Sequence, residues 1–451
     1  MSFYDKIEGP IMTLGEKINN ISFFSILRDS FMLAFPLTIF GSIMLIISNF
    51  PYLGNLIGAD ALATLQTMLT PASLATMNVM SIPVCLGIGY YYSKSKDCDP
   101  IFGAAIALTA FLIVTPWVSG AVVAVDSDGA LTGTTLLKSA TVMTTDRLGA
   151  KGMFVAMFGS FLAAYLYCFF TQKHWTIKMP DQVPPAVANS FAALIPAFLT
   201  LCVFLLISIV FTFTPWGNVH DFIYTIIQAP LMGLGESLWA TIIAIFFVQL
   251  LWFFGLHGQI IVNSVLDPIW NALMLENQNA FLNHQTLPHI VTKPFMETFT
   301  VGLGGSGATL IVVIMLAFFM KSKLLKDVGR LALPAGIFNV NEPVIFGLPI
   351  VLNPTIAIPW IVAPMLSVTI AYLAMAWGLV PYTTGVSVPW TVPVFLSGFL
   401  ATNSWKGALL QLVQIGVVGV VWFPFLKALD KQNCAEEAEA AAEEAAEAVE
   451  G

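Results

Sequence analysis

Two short stretches of this chain place proton-exchanging and hydrogen-bonding groups inside otherwise apolar sequence. The first is Phe254-Gly-Leu-His-Gly-Gln-Ile-Ile-Val-Asn263 and the second is Phe338-Asn-Val-Asn-Glu-Pro-Val-Ile-Phe-Gly-Leu-Pro349. An ionisable side chain at membrane depth is costly, so it is rare and usually functional. His257 and Glu342 are therefore the first candidates for chemistry. His257 is flanked by Gly255 and Gly258, and glycine permits close backbone approach and unusual dihedrals. The structural alternative is a histidine that caps a broken helix through backbone carbonyls. Glu342 precedes Pro343, which disfavours helix at Glu342 and frees backbone groups nearby. Asn339 and Asn341 add amide donors and acceptors. A carboxylate with two amides suits a sugar, whose hydroxyls both donate and accept. The alternative is a salt bridge or a capped hairpin tip. Gly258 and Gln259 extend the first stretch toward the same solute, and Glu297, upstream of the second, is placed to reach it.

Two tryptophans strengthen the sugar reading. Trp252 precedes His257 by five residues, and Trp390 lies in Ser387-Val-Pro-Trp-Thr-Val-Pro393. Aromatic faces stack on the C–H faces of pyranose rings, although tryptophan also anchors helices at bilayer interfaces. Gly302-Leu-Gly-Gly-Ser-Gly307 resembles a phosphate cradle but lacks the lysine and the preceding strand of a P-loop. Tight helix packing through small residues is the expected role. His284 and His289 have no metal-site spacing. The five cysteines contain no CxxC pair, and three lie in apolar runs, as free core thiols do. Nothing calls for a metal, a cofactor or a nucleic-acid partner.

Such residues need elements to hold them, and composition says what kind. Of 451 residues, 57% are apolar and only 10% are charged, with a mean hydropathy of +0.84. A soluble protein of this composition could not cover its surface with polar groups, whereas lipid as solvent removes the difficulty. The net charge of -8 is misleading, because seven carboxylates crowd the Ala/Glu tail after Ala435 and the body is left at about -1. That tail is expected to be solvated helix or disordered, and no activity is read in it. No cleavable signal peptide is evident.

A crossing needs about 20 apolar residues. Candidate spans are 30–50, 71–92, 101–122, 152–171, 189–213, 238–256, 302–320, 355–379 and 408–426. Residues 1–28 read as a surface amphipathic segment. Three regions, 257–296, 331–353 and 384–403, are apolar but broken by Gly, Pro, Asn and charges. If the N-terminus is cytoplasmic, 13 of 18 basic residues fall inside, the exceptions being Lys138, Arg147, Lys151, Lys293 and Lys406. That bias orients both termini inward. Parity then requires 257–301 to cross once and one further crossing after Ala401. The expectation is an all-α polytopic protein with about ten crossings and two re-entrant hairpins. Irregular backbone at that depth survives only against protein or a polar cavity, so the broken regions mark the functional part. The polar, Pro-rich stretch Lys173–Pro185 reads as a cytoplasmic linker. It separates an N-terminal bundle, 29–172, from a transport half, 186–430, of which about 186–403 is expected to move as a body against that bundle; 431–451 is the tail.

Gly255-Leu-His-Gly-Gln259, Asn339-Val-Asn-Glu-Pro343 with Pro349 and Asn353-Pro354, and Met179-Pro-Asp-Gln-Val-Pro-Pro185 resemble a known family. It is the membrane-spanning IIC component of the bacterial phosphoenolpyruvate-dependent sugar phosphotransferase system, most like its lactose/cellobiose/diacetylchitobiose branch. The resemblance covers about residues 1–430. It implies ten spans, two re-entrant hairpins and a homodimer packed through the N-terminal half in the bacterial inner membrane. It also implies that a β-linked disaccharide is carried inward and phosphorylated at its C6 hydroxyl. The donor would be a phosphocysteine on a separate cytoplasmic IIB protein, itself charged by IIA. On that pattern Glu342 and His257 hold the reacting hydroxyl, with Glu342 also a base. Trp252 and Trp390 flank the rings, and Asn339 and Asn341 share the remaining hydroxyls. No cysteine here lies in a domain that could serve as IIB, and the acidic tail is not part of the pattern. The reading from another class is an ion-coupled sugar transporter with His257 and Glu342 as a proton relay. A membrane hydrolase fits poorly, for want of a nucleophile and a metal site.

Overall fold

A computed structural model describes residues 22–50, 53–125, 136–180, 182–348, 350 and 353–450. Most of the expected amphipathic segment 1–28, and Pro349 of the second motif, lie outside the described residues. Among the described residues, five helices are long and apolar enough to cross a bilayer, and up to eight if each of three bent pairs is one crossing. Helix Pro185–Thr212 buries only 17% of its most apolar window. Phe198 and Leu206 on it, and Phe213 just after it, are exposed, as a lipid-facing helix requires.

The chain divides into two compact units. One comprises residues 22–41 and 69–232. Its helices Ser81–Ser95 and Pro100–Val114 cross closely, because a side chain on Gly89 would meet the Gly103 carbonyl at 2.5 Å. Asp99 starts the second of these helices by accepting from the amides of Ile101 and Phe102, with Pro100 in the first turn where its missing N–H costs nothing. The expected span 101–122 ends early, at Val114. Pro116 forces Thr115 into extended backbone. Strand Val118–Val125 follows and pairs antiparallel with strand Leu136–Val142, Val118 standing opposite Val142. The unit is therefore not purely helical. The polar stretch 173–185 lies within it, leading into helix Pro185–Thr212.

The other described unit comprises residues 42–68 and 233–451 and contains all three broken regions. Its core gathers around Trp360 and Trp422, both fully buried, with Val312, Leu316, Ile356 and Val344. The region 257–296 is less broken than its composition implies: helix Gly258–Leu282 runs through Pro268 without interruption. The expected span 302–320 is more broken, with helix Lys293–Phe299, two 3-10 turns and then helix Leu310–Phe319. Helix Lys323–Ile337 follows, then a turn, the short helix Glu342–Gly347 and helix Pro354–Ala376. Residues 377–395 are irregular up to helix Leu396–Thr402, and helix Trp405–Glu450 closes the chain.

Broken helices expose backbone groups that lipid cannot satisfy, and buried amides supply the partners. Asn277 Nδ2 donates to the carbonyls of His289 and Thr383 at 2.7 and 2.9 Å, and its Oδ1 accepts from the His289 amide at 2.9 Å. Gln411 Oε1 accepts from the amides of Phe395, at 2.7 Å, and Gly398, at 3.0 Å. Its Nε2 donates to the Thr298 carbonyl and to Ser397 Oγ, each at 2.9 Å. Gln414 Nε2 donates to the carbonyls of Phe299 and Ser367, each at 3.0 Å. Helix Trp405–Glu450 thus supplies to the ends of two other helices what water would supply elsewhere.

Replacing Gln411 by Met preserves volume and strands four partners. We expect it to cost roughly 2–5 kcal/mol, read as a lower melting temperature in detergent, with Gln411→Glu falling between because it keeps the acceptors. A Met variant that melts with the wild type contradicts this account.

Candidate functional site

The second unit holds an open cavity of about 230 Å³, a little below the usual range of small-molecule sites. Its walls come from the start of helix Gly258–Leu282, from the 293–307 segment, from the 339–342 turn and from Trp390. Of the residues singled out in the sequence, Trp252, His257, Gln259, Glu297, Asn339, Asn341, Glu342 and Trp390 all line it. Gly258 does not. A Cβ there would collide with the Val248 carbonyl, so Gly258 seats the first turn of its helix against the preceding one.

His257 occupies the N-cap of helix Gly258–Leu282 and is exposed at the cavity. Its Nδ1 accepts from the Ile260 amide at 3.3 Å. The cap is made through an N–H, not through carbonyls as the structural alternative had it, and the cap and the cavity use the same ring. With Nδ1 an acceptor, the neutral imidazole holds its proton on Nε2. Trp252 lies beside it, ring centroids 4.4 Å apart and tilted by 46°. Trp252 is buried, and Trp390 is 39% exposed.

Glu342 opens the helix Glu342–Gly347 with Pro343 in the first turn. Pro343 therefore starts a helix where the sequence implied that it would deny one to Glu342, because proline is tolerated at the first helical positions. The Glu342 side chain is exposed and lines the cavity. It lies within electrostatic range of His257.

The two asparagines are differently committed. Asn339 is left-handed, at φ 64°. Its Oδ1 accepts from the Gly304 amide at 2.8 Å, and its Nδ2 donates to the carbonyls of Trp390, at 2.6 Å, and Val392, at 3.0 Å. One buried side chain thereby ties together the glycine-rich segment, the turn and the Trp390 segment. Asn341 Nδ2 donates to the Ser306 carbonyl at 2.6 Å, and Ser306 Oγ donates to Gln259 Oε1 at 2.8 Å. Both asparagines spend much of their capacity on the framework.

Glu297 lines the cavity from helix Lys293–Phe299. Lys293 pairs with it at 3.2 Å and with Asp267 at 2.6 Å, all three mostly buried. One of the five basic residues that departed from the inward bias, Lys293, is thus the centre of a buried ion triad, and such a group is retained only with good geometry on both sides.

Sequence reasoning missed Asn263, Val301, Gly305 and Ser306. The signal for the last two was present in Gly302–Gly307, read as helix packing. Gly304 and Gly305 have φ of 103° and 85°, and a side chain on Gly305 would meet Asn341 Oδ1 at 2.6 Å. These glycines are needed for left-handed turns that bring backbone against the asparagines. His289 is not in the cavity. It bonds Glu236 at 2.6 Å and Glu276 at 2.7 Å. Among the described residues no cluster could hold a metal ion.

Asn339→Ala leaves the Gly304 amide and two carbonyls without partners. The expected cost is roughly 2–4 kcal/mol. It is read as a lower melting temperature in detergent, and a variant that melts with the wild type contradicts the framework role.

Residues 28–364 match the family model described as "Phosphotransferase system, EIIC". The chain is 53% identical over 443 residues to the PTS system oligo-beta-mannoside-specific EIIC component of Bacillus subtilis (strain 168), covering 98% of each. It is 38% identical over 444 residues to the PTS system cellobiose-specific EIIC component of Geobacillus stearothermophilus, covering 96% of each. Among solved structures it is similar to the transporter ChbC, the IIC component from the N,N'-diacetylchitobiose-specific phosphotransferase system. That match has a TM-score of 0.87 and 38% identity, over 97% of this chain and 99% of that one.

Proposed function

Since the chain belongs to the EIIC family of the phosphotransferase system, we propose that it carries a β-linked disaccharide across the bacterial inner membrane and presents the sugar's C6 hydroxyl for phosphorylation. The observation that carries this reading is the convergence of His257, Glu342, Gln259, Glu297 and two tryptophans on one cavity. A sugar needs such a mixture, with acceptors and donors at the rim of its rings and aromatic faces against their C–H surfaces. The substrate is a cellobiose, diacetylchitobiose, lactose or β-mannobiose type of molecule. Similarity to an oligo-beta-mannoside component over nearly the whole chain favours including the last.

In the proposed reaction the donor is a phosphocysteine on a separate IIB protein, charged in turn by IIA. The C6 oxygen forms a bond to phosphorus as the sulfur–phosphorus bond breaks, and the cysteine thiolate leaves. Glu342 takes the hydroxyl proton, as a positioned carboxylate can. His257, with its proton on Nε2, donates to the sugar and orients the hydroxyl. Glu297 accepts from hydroxyls on the other side. Both termini are placed in the cytoplasm, supported by 13 of 18 basic residues falling inside. Ten crossings, two re-entrant hairpins and a homodimer complete the proposal. Transport moves a body of about 186–403 against the N-terminal bundle about the 173–185 linker.

The test uses membrane vesicles with this protein, the soluble phosphocarriers and phosphoenolpyruvate, offered labelled cellobiose or β-mannobiose. Label is expected to accumulate as a 6-phosphate, and Glu342→Gln to lower that rate by at least about a hundredfold, the contribution typical of a general base. Label that enters unmodified and follows a proton gradient overturns the reading.

A further inference from the structure

The acidic residues at the end of the chain have no part in the cavity, yet two of them reach the segment that carries it. Helix Trp405–Glu450 presents Asp430 and Glu437 seven residues apart, two turns along one face. Both meet the elbow Met320–Ser322, which joins helix Leu310–Phe319 to helix Lys323–Ile337. Asp430 Oδ1 accepts from the amides of Lys321, at 2.7 Å, and Ser322, at 2.9 Å. Glu437 Oε1 accepts from Ser322 Oγ at 2.7 Å and from the Leu324 amide at 3.0 Å. Its Oε2 accepts from the Lys323 amide at 3.1 Å. Lys427 adds a bond from Nζ to the Phe319 carbonyl at 3.1 Å. A helix begins with amides that lack intrahelical partners, and carboxylates are favoured there by the helix dipole. Here both carboxylates come from a distant helix.

What starts at this elbow ends in the cavity. Helix Lys323–Ile337 leads directly to Asn339, Asn341 and Glu342. It packs closely against helix Leu310–Phe319 on one side and against the end of helix Glu342–Gly347 on the other. A side chain on Gly329 would come 2.7 Å from Leu316 Cβ, and one on Gly347 would come 2.8 Å from Val328. The elbow, the helix and the turn therefore form one limb, and the pitch of that limb is set where it starts.

We propose that Asp430 and Glu437 are positioning residues for the sugar site, clasping the elbow so that the Glu342 turn is held against the glycine-rich segment. This rests on the reading of the cavity as the sugar site. It assigns a role to the first part of the acidic tail and none to its end.

The test is hydrogen exchange and sugar phosphorylation on the full-length protein and on Glu437→Ala, Glu437→Gln and a chain ending at Ala442. Glu437 lies at the surface, so its variants are expected to fold. In Glu437→Ala, exchange should rise about tenfold both at residues 321–325 and at 339–346, the scale of losing one helix cap. The melting temperature should stay within a few degrees. The phosphorylation rate should fall by about three- to tenfold, as misplacement of a reacting group does. Glu437→Gln, which keeps one acceptor oxygen, should be intermediate, and the chain ending at Ala442 should match the wild type. Exchange that rises at 321–325 but not at 339–346, or unchanged phosphorylation in Glu437→Ala, overturns the proposal. The exchange result is independent of any sugar. If no sugar is phosphorylated by the wild type, the site reading fails and the coupling of elbow to turn is still decided.

Discussion

Lipid offers no hydrogen bonds, and that constraint governs the whole of the described unit 233–451. An unpaired backbone N–H or C=O in hydrocarbon costs several kcal/mol, so helices can break there only if side chains take over the missing partners. This chain does so with a few primary amides. Gln411 and Gln414 serve the ends of helices Lys293–Phe299 and Leu396–Thr402. Asn277 serves the loop at His289 and the irregular stretch at Thr383. Asn339 and Asn341 serve the glycine-rich turns and the Trp390 segment. Remove those amides and the broken regions have no reason to stay at membrane depth.

The cavity follows from the same requirement. Segments drawn together by their backbone needs leave a space between them, lined by whatever polar groups the framework has not consumed. Asn339 is consumed almost completely, whereas Glu342 opens to the space and His257 divides its two nitrogens between the helix cap and the cavity. Gln259 is shared, with its oxygen bound by Ser306. The site is thus a division of labour in which amides fasten backbone and ionisable groups face the cavity. The Lys293 triad follows the same logic at larger cost, since its lysine neutralises one of two acids beside the wall.

Much of this was legible in the residues, and for stated reasons. Apolar runs long enough for lipid gave the membrane class, and Gly, Pro and Asn inside apolar sequence located the broken regions. His257 and Glu342 stood out because charge is rare there. Three features were hidden. The left-handed backbone at Gly304 and Gly305 looks in sequence like a small-residue helix face, because both uses want the same residue. The strand pair after Pro116 falls in a run apolar enough to pass for the end of a span. The clasp by Asp430 and Glu437 joins positions more than a hundred residues apart, and in sequence Glu437 cannot be told from its neighbours Glu436 and Glu439.

The central claim is that Glu342 holds the hydroxyl that receives phosphate. It is tested most directly by the binding of a disaccharide substrate and of its analogue lacking that C6 hydroxyl, measured by calorimetry on the purified protein and on Glu342→Ala. The account predicts that the wild type binds the deoxy analogue about tenfold or more weakly, as expected when a hydrogen bond to a charged carboxylate is lost, and that Glu342→Ala loses most of that difference, keeping only what His257 supplies. Equal binding of both sugars by the wild type would contradict it.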